Sequence, residues 1–176
     1  QRHLTIPCEM CIRDRLNPIE DFAHLPPLAP WWRVDGVVCA LGTTMAKAGS
    51  QAAFEAVDYA MPLAVARLAL RQGAQAFAHN SALGANPDSR VFYSRVKGEL
   101  EQSLRDMKNP GYPSLTFVRP GLIGGERPEH RRGESLAIVA TRLLSPLLPQ
   151  RYRLVPAERI AHHLVEAALA AAPGVT

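Results

Sequence analysis

Cysteine is scarce in this sequence, and the few cysteines are poorly placed for a disulfide framework or a zinc site. Only three of the 176 residues are cysteines. Cys8 and Cys11 form a C-x-x-C pair, but a structural zinc site needs four ligands and so usually a second pair. The remaining cysteine, Cys39, lies inside an apolar run. We therefore predict that the protein holds no metal.

Long apolar runs and a strong charge of one sign are missing as well. No run approaches the roughly eighteen residues that a membrane-spanning helix requires. The 20 basic and 16 acidic residues give a formal net charge of +4, with no basic stripe interleaved with aromatic residues. From these absences we predict that the protein neither spans a membrane nor binds nucleic acid. Because the first residues lack the apolar core of a signal peptide, we expect a cytoplasmic location.

A glycine-rich dinucleotide motif is also missing. Neither G-x-G-x-x-G nor G-x-x-G-x-x-G occurs in the chain. A complete Rossmann domain starts with a strand, such a turn, and a helix whose N-terminus holds the pyrophosphate. We therefore interpret residues 16–176 as the C-terminal part of a single Rossmann domain that lacks its first βαβ unit. Residues 1–15 show no helical or strand period, and we interpret them as a non-native or disordered tail.

Strands and helices alternate along the rest of the chain. Apolar runs of strand type and segments of helical spacing follow one another at 34–41, 51–71, 74–78, 90–107, 115–118, 135–144 and 157–171. Pro62 should kink the second of these, and Ser89 should cap the fourth. The alternation predicts an α/β fold with an incomplete, Rossmann-like, doubly wound parallel sheet. Right-handed crossovers bring the strand C-termini to one edge, where ligands bind in such sheets.

Tyr93 and Lys97 lie four residues apart and therefore on one face of the predicted helix 90–107. A nearby cation lowers the pKa of a tyrosine, which can then exchange a proton with an alcohol or carbonyl oxygen. Ser81 follows a predicted strand, where its hydroxyl can hold that oxygen. Hydride must come from a nicotinamide, because no side chain supplies it. For the pair alone, a surface tyrosine beside a lysine is the structural alternative.

Several segments, in order along residues 34–170, together resemble a known family. They are Cys39-Ala-Leu-Gly-Thr-Thr44, Lys47-Ala-Gly49, Val57-Asp58, Ser81-Ala-Leu-Gly-Ala85, Phe92-Tyr-Ser-Arg-Val-Lys-Gly-Glu99 and Arg119-Pro-Gly-Leu122. They resemble the atypical short-chain dehydrogenases/reductases of the Tat-interacting oxidoreductase-like branch. The resemblance implies an NAD(P)-dependent oxidoreductase that acts on a small carbonyl or alcohol.

The resemblance also implies a role for each site residue. Tyr93 would be the general acid/base, Lys97 would lower its pKa and bind the nicotinamide ribose, and Ser81 would orient the substrate carbonyl. The cofactor, NADP or NAD, would contact residues in three loops. These residues are Ala40, Leu41, Gly42, Thr43, Tyr93, Lys97, Pro120, Gly121 and Ile123. Lys47 and Asp58 have either a role beside the site or an ordinary place on the surface.

Two other functions stay open at this point. Epimerase or dehydratase chemistry on a nucleotide sugar uses the same tyrosine and lysine, although only about fifty residues follow Gly121 to build the sugar site. A non-catalytic NAD(P)-sensing or partner-binding protein would keep the scaffold without turnover. We also expect that the protein can form a homodimer. Without the glycine-rich turn, the chain itself should be inactive or weakly active.

Overall fold

The computed structural model describes residues 25–27, 32–107, 111–121, 123–124 and 155–176. In chain order the elements are β1 (Gly36–Cys39), α1 (Met45–Ala48), α2 (Gln51–Glu55), a π-helical segment (Ala56–Ala60), α3 (Met61–Arg71), β2 (Ala76–Asn80), α4 (Phe92–Arg105), β3 (Ser114–Val118), β4 (Ile123–Gly124), β5 (Val155–Pro156), α5 (Ala157–Ala170) and β6 (Gly174–Val175). The predicted tail at 1–15 and the predicted helix at 135–144 lie outside the described residues.

The main sheet has four parallel strands in the order β1-β2-β3-β6. Strand β2 lies between β1 and β3 and is buried along most of its length, which explains the apolar run at its start, Ala76 to Ala78. A second, two-stranded parallel sheet joins β4 to β5. The predicted α/β fold with a partial Rossmann-like parallel sheet is confirmed.

Helices cover both faces of this sheet. On one face, Phe77 and Phe117 of the sheet pack with Leu63 of α3 and Leu100 of α4. On the other face, α5 packs its buried residues against Ala78 of β2. Among the described residues, no helix is both long and apolar enough to cross a bilayer.

The kink that Pro62 predicts takes the form of a π-helical segment. Proline has no N–H to donate and its ring clashes with the carbonyl four residues earlier, so regular α-helix cannot run through it unchanged. The chain widens just before it: the Met61 N–H bonds to the Ala56 carbonyl, five residues back. Asp58 is the buried residue of this segment. Single π turns of this kind are frequent at functional sites.

Other local predictions differ from the structure in detail. Strand β2 extends to Asn80 rather than ending at 78, and β6 was not predicted. The N-cap of α4 is Val91 rather than Ser89, and it makes no side-chain cap bond. The Ser89 hydroxyl instead accepts the Val91 N–H at 3.1 Å, so it orders the turn before the helix.

Candidate functional site

The loops after β1, β2 and β3 meet at one edge of the sheet because these strands are parallel. The Ser81 N–H bonds to the Val118 carbonyl at 2.8 Å, and the Leu83 N–H bonds to the Pro120 carbonyl at 3.0 Å. These bonds continue the β2–β3 pairing beyond the strands. Helix α4 begins at this edge, since the Asn86 N–H bonds to the Ser94 carbonyl. The edge is the place where such sheets bind ligands.

Tyr93 lies in the first turn of α4 at this edge. Its side chain is 40% exposed, so the phenol is accessible from solvent. The ring contacts Phe54 of α2 in an edge-on arrangement, with 5.8 Å between centroids. Phe54 also packs against Phe92. Aromatic contacts therefore fix the ring while the phenol remains accessible.

Lys97, one turn further along α4, is buried and paired with Asp58. Its Nζ lies 2.8 Å from Asp58 Oδ1, and the two side chains are 4% and 1% exposed. The contact is ionic, because Oδ1 accepts no bond of hydrogen-bond geometry. The other oxygen, Oδ2, accepts the Thr43 N–H at 2.7 Å. Asp58 thus joins α4 to the loop after β1.

The pKa of Tyr93 departs from its ordinary value in the direction opposite to the predicted one. Burial raises this pKa, and the negative charge of Asp58 raises it further. The expectation that Lys97 lowers the pKa of Tyr93 during the reaction stays a prediction. At neutral pH Tyr93 is a neutral phenol and can donate a proton.

Ser81 is buried and directs its hydroxyl to Glu101. Its Oγ donates to Glu101 Oε1 at 2.6 Å, and the residue is 4% exposed. The hydroxyl hydrogen of Ser81 is therefore directed at a carboxylate on α4. A role for Ser81 in orienting a substrate carbonyl stays a prediction.

Glu101 accepts hydrogen bonds from three residues. Besides Ser81 it binds Arg119, whose Nε donates to Oε1 at 2.8 Å and whose Nη2 donates to Oε2. Arg105 donates to Oε2 at 2.9 Å. Burial alone would raise the pKa of Glu101, but these hydrogen bonds hold it below its ordinary value. Glu101 therefore stays ionised and locks α4 to the loops after β2 and β3.

His79 lies on β2, and the charges of both Lys97 and Glu101 influence its pKa. The ring is fully buried, and neither nitrogen has a hydrogen-bond partner among the described residues. Burial lowers its pKa to about 4 and the charge of Lys97 adds to this effect, whereas Glu101 and the Cys39 backbone act in the opposite direction. His79 is consequently neutral at physiological pH, as expected of a structural histidine.

The predicted cofactor residues fall into groups. Gly42 and Thr43 meet the Asp58–Lys97 pair: a Cβ at Gly42 would lie 3.4 Å from Asp58 Oδ1 and 3.7 Å from Lys97 Nζ. Ala40 is exposed and Leu41 is half-buried in the same loop. Across the edge, Pro120 is buried, Gly121 is half-buried, and Ile123 opens β4.

Sequence inspection did not assign Glu101, Arg119 or the inward position of Asp58. The spacing of Tyr93, Lys97 and Glu101 at four-residue steps along α4 was the available signal for Glu101. Arg119 directly follows a predicted strand, where the sheet edge was already expected. For Asp58, the proline four residues later was the only signal of a local widening that turns the carboxylate inward.

Charged groups outside this site have ordinary surface positions. His162 and His163 both approach Glu166 on α5, with nitrogen–oxygen distances of 3.0 and 3.7 Å, and all three are exposed. Lys47 is exposed in α1. The arginines at 127, 131 and 132 lie outside the described residues.

No family model matches the chain. The chain is, however, similar in sequence to individual proteins. It is 38% identical over 104 residues to the protein FMP52, mitochondrial, of Candida albicans, covering 58% of this chain and 44% of that protein. The corresponding protein of Emericella nidulans is 36% identical over 100 residues, which is 57% of this chain and 42% of that protein. Protein HTATIP2 of Rattus norvegicus is 38% identical over 120 residues, which is 68% of this chain and 48% of that protein.

Two consequences follow from these similarities. The fungal relatives are named mitochondrial, which contradicts the expected cytoplasmic location. The chain spans about half the length, or somewhat less, of the curated relatives it matches. Over that aligned part, the chain is a homologue of the FMP52 and HTATIP2 proteins.

Proposed function

We propose that this chain is the C-terminal part of an NAD(P)-dependent oxidoreductase of the short-chain dehydrogenase/reductase type. Its substrate is a small carbonyl or alcohol. The observation that carries the proposal is the accessible Tyr93 phenol at the sheet edge, one helical turn from the buried Lys97–Asp58 pair. The similarity to HTATIP2 and the FMP52 proteins supports it.

Tyr93 is the proton donor in this proposal. In carbonyl reduction the phenol O–H gives its proton to the carbonyl oxygen, and the phenolate left behind is stabilised by the nearby ammonium of Lys97. A nicotinamide held at this edge would supply the hydride that the carbonyl carbon needs. In alcohol oxidation the Tyr93 phenolate would take up the proton of the alcohol.

The residues at the edge fit a dinucleotide with NADP as the first candidate. Gly42 has no side chain, so the backbone of this loop lies close to Asp58 and Lys97. The loop after β1 would line the adenine-ribose side, and the loop that begins at Pro120 would lie near the nicotinamide. The pyrophosphate needs a glycine-rich turn that these 176 residues do not contain. We place that turn upstream, in the same polypeptide.

We also propose a mitochondrial location, on the printed names of the fungal relatives. The partner of the protein is a small molecule, and a homodimer is its proposed assembly.

NADPH consumption by the full product of the gene tests the proposal. We expect a panel of small aldehydes and ketones to contain a substrate, and Tyr93→Phe to lower turnover about 100-fold or more, because it removes the proton donor. Tyr59→Phe is the matched control, since the Tyr59 hydroxyl bonds only to Ser103 among the described residues. Turnover retained by Tyr93→Phe would contradict the assignment.

A second function, NAD(P) sensing or partner binding without turnover, has one observation in its favour. Lys97 forms an ion pair with a buried carboxylate and Ser81 donates a hydrogen bond to another, as structural residues do. Under this alternative, Tyr93→Phe leaves cofactor or partner binding intact and there is no turnover to lose. The panel assay with the wild-type protein separates the two functions.

A further inference from the structure

We infer that Asp58 is a positioning residue of the proposed site: its carboxylate ties Lys97 to the loop after β1 and balances the lysine's charge beside Tyr93. The inference rests on the proposed role of Tyr93 and deepens it. It adds to the tyrosine and lysine a third ionisable group, which shifts the titration of Tyr93.

The geometry gives Asp58 two partners on two different elements. Oδ1 faces the Lys97 ammonium at 2.8 Å, and Oδ2 accepts the Thr43 N–H at 2.7 Å. The carboxylate itself comes from a third element, the π-helical segment. Because the group is 1% exposed, water does not screen these interactions. One side chain therefore sets the distance between α4 and the loop after β1.

The π turn explains how a helix residue reaches this position. Five residues span the widened turn from Ala56 to Ala60, and of these Asp58 alone is buried. Pro62 follows directly in α3, where its missing N–H disfavours a regular turn. The sequence thus builds a local distortion whose effect is to turn one carboxylate inward.

The other titratable groups around Lys97 do not take over this role. Cys39 on β1 is buried, which raises its pKa and keeps the thiol neutral. His79 on β2 is neutral because burial lowers its pKa to about 4. Glu101 on α4 is ionised but held by two arginines. Asp58 is the charge in direct contact with Lys97, and its field also reaches Tyr93.

Burial keeps Tyr93 neutral, and the Asp58 carboxylate acts in the same direction. The positive charge of an unpaired lysine would favour the phenolate, and the Asp58 carboxylate opposes that effect. The phenol is therefore protonated and suited to carbonyl reduction. A purely structural ion pair would hold the loop in place equally well without affecting the titration of Tyr93, so the titration distinguishes the two roles.

The experiment is a spectrophotometric titration of Tyr93 in the purified 176-residue chain. The phenolate absorbance of each protein is corrected with its own Tyr93→Phe version, and circular dichroism at each pH confirms the fold. We expect Asp58→Asn to shift the Tyr93 midpoint to lower pH, because the amide keeps an acceptor for Thr43 but removes the charge. Glu99→Gln is the matched control, because it removes a carboxylate from an exposed position on α4, the helix that carries Tyr93.

Lys97→Met should shift the midpoint in the opposite direction, since it leaves the Asp58 charge unbalanced. If Asp58→Asn does not fold, the double variant Asp58→Asn/Lys97→Met is compared with Lys97→Met and must titrate at lower pH. A folded Asp58→Asn protein with the wild-type midpoint would overturn the inference. The titration needs no cofactor or turnover. Its failure is therefore distinct from the failure of the proposed function, which Tyr93→Phe activity decides.

Discussion

At the scale of single residues, the buried polar side chains between α4 and the sheet are the most informative feature. Lys97 pairs with Asp58, and Ser81 donates a hydrogen bond to Glu101. In His79, both ring nitrogens lack a partner of hydrogen-bond geometry among the described residues. A buried imidazole in this state is stable only while it is neutral, which makes folding sensitive to pH.

The free energy of unfolding should therefore fall in weak acid because of His79. The unfolded chain protonates this ring as the pH drops through about 6.5, whereas the folded protein does so only near 4. The contribution is complete above pH 6.5 and is lost as the pH falls through 4, and it amounts to about 3 kcal/mol. Urea unfolding at neutral pH and near pH 4 measures how much the free energy of unfolding falls between the two. We expect this fall to be smaller in His79→Leu than in the wild-type protein by the amount that His79 contributes.

His162→Gln is the matched control for this measurement, because His162 is exposed on α5. It should keep the acid sensitivity of the wild-type protein. An equally steep loss of stability in His79→Leu would show that other groups, such as the carboxylates, account for the whole effect.

The residue scale also separates what the sequence reveals from what it hides. Tyr93 and Lys97 could be singled out because a four-residue step on a helix is visible in the sequence. The partners of Lys97 and Ser81 could not, because Asp58 and Glu101 reach them through burial and packing. Consequently the direction of the pKa shift of Tyr93 in the structure was not predicted, although the pair itself was recognised.

At the scale of elements, α4 is central because it carries the tyrosine, the lysine and the glutamate. It can approach the loop after β2 closely only because residue 98 is glycine. A Cβ at Gly98 would lie 2.2 Å from the Asn86 carbonyl carbon and 2.3 Å from the Pro87 nitrogen. Backbone atoms at such distances cannot be accommodated without moving the loop away from the helix.

Gly98→Ala should consequently destabilise the protein, although alanine is the better helix former by about 1 kcal/mol. Overpacking of this kind usually costs about 1–3 kcal/mol, and here it also displaces the loop that begins at Ser81. We expect a net loss of about 2 kcal/mol in urea unfolding. Glu99→Ala, at the exposed neighbouring position, should change stability little. A Gly98→Ala protein as stable as wild type would mean that the loop yields freely.

The parallel strands and their flanking helices were predictable at this scale because buried strands and amphipathic helices leave clear periodic patterns. Strand β6 was not, since two exposed residues, Gly174 and Val175, carry no pattern and pair with β3 through their backbone. The π-helical segment was seen only as a kink at Pro62. The pattern shows that a proline disturbs a helix but not which way the turn widens.

At the scale of the whole molecule, the sheet edge holds the proposed catalytic group but no glycine-rich turn. We expect the 176-residue chain to bind NADPH weakly or not at all, because its sequence contains no glycine-rich turn to bind the pyrophosphate. Fluorescence titration of NADPH checks this, with the full gene product as the positive control. Equally tight binding by both proteins would place the pyrophosphate site within these residues.

The central claim is that Tyr93 transfers the proton in a nicotinamide-dependent reduction. Its most direct test is single-turnover reduction of a carbonyl substrate by the full gene product with deuterium-labelled NADPH, followed by mass spectrometry of the alcohol. We predict one deuterium in the product and a reduction rate that Tyr93→Phe lowers about 100-fold or more, with the rate of Tyr59→Phe unaffected. Deuterium transfer at an unchanged rate in Tyr93→Phe would contradict the claim and assign the proton to another group.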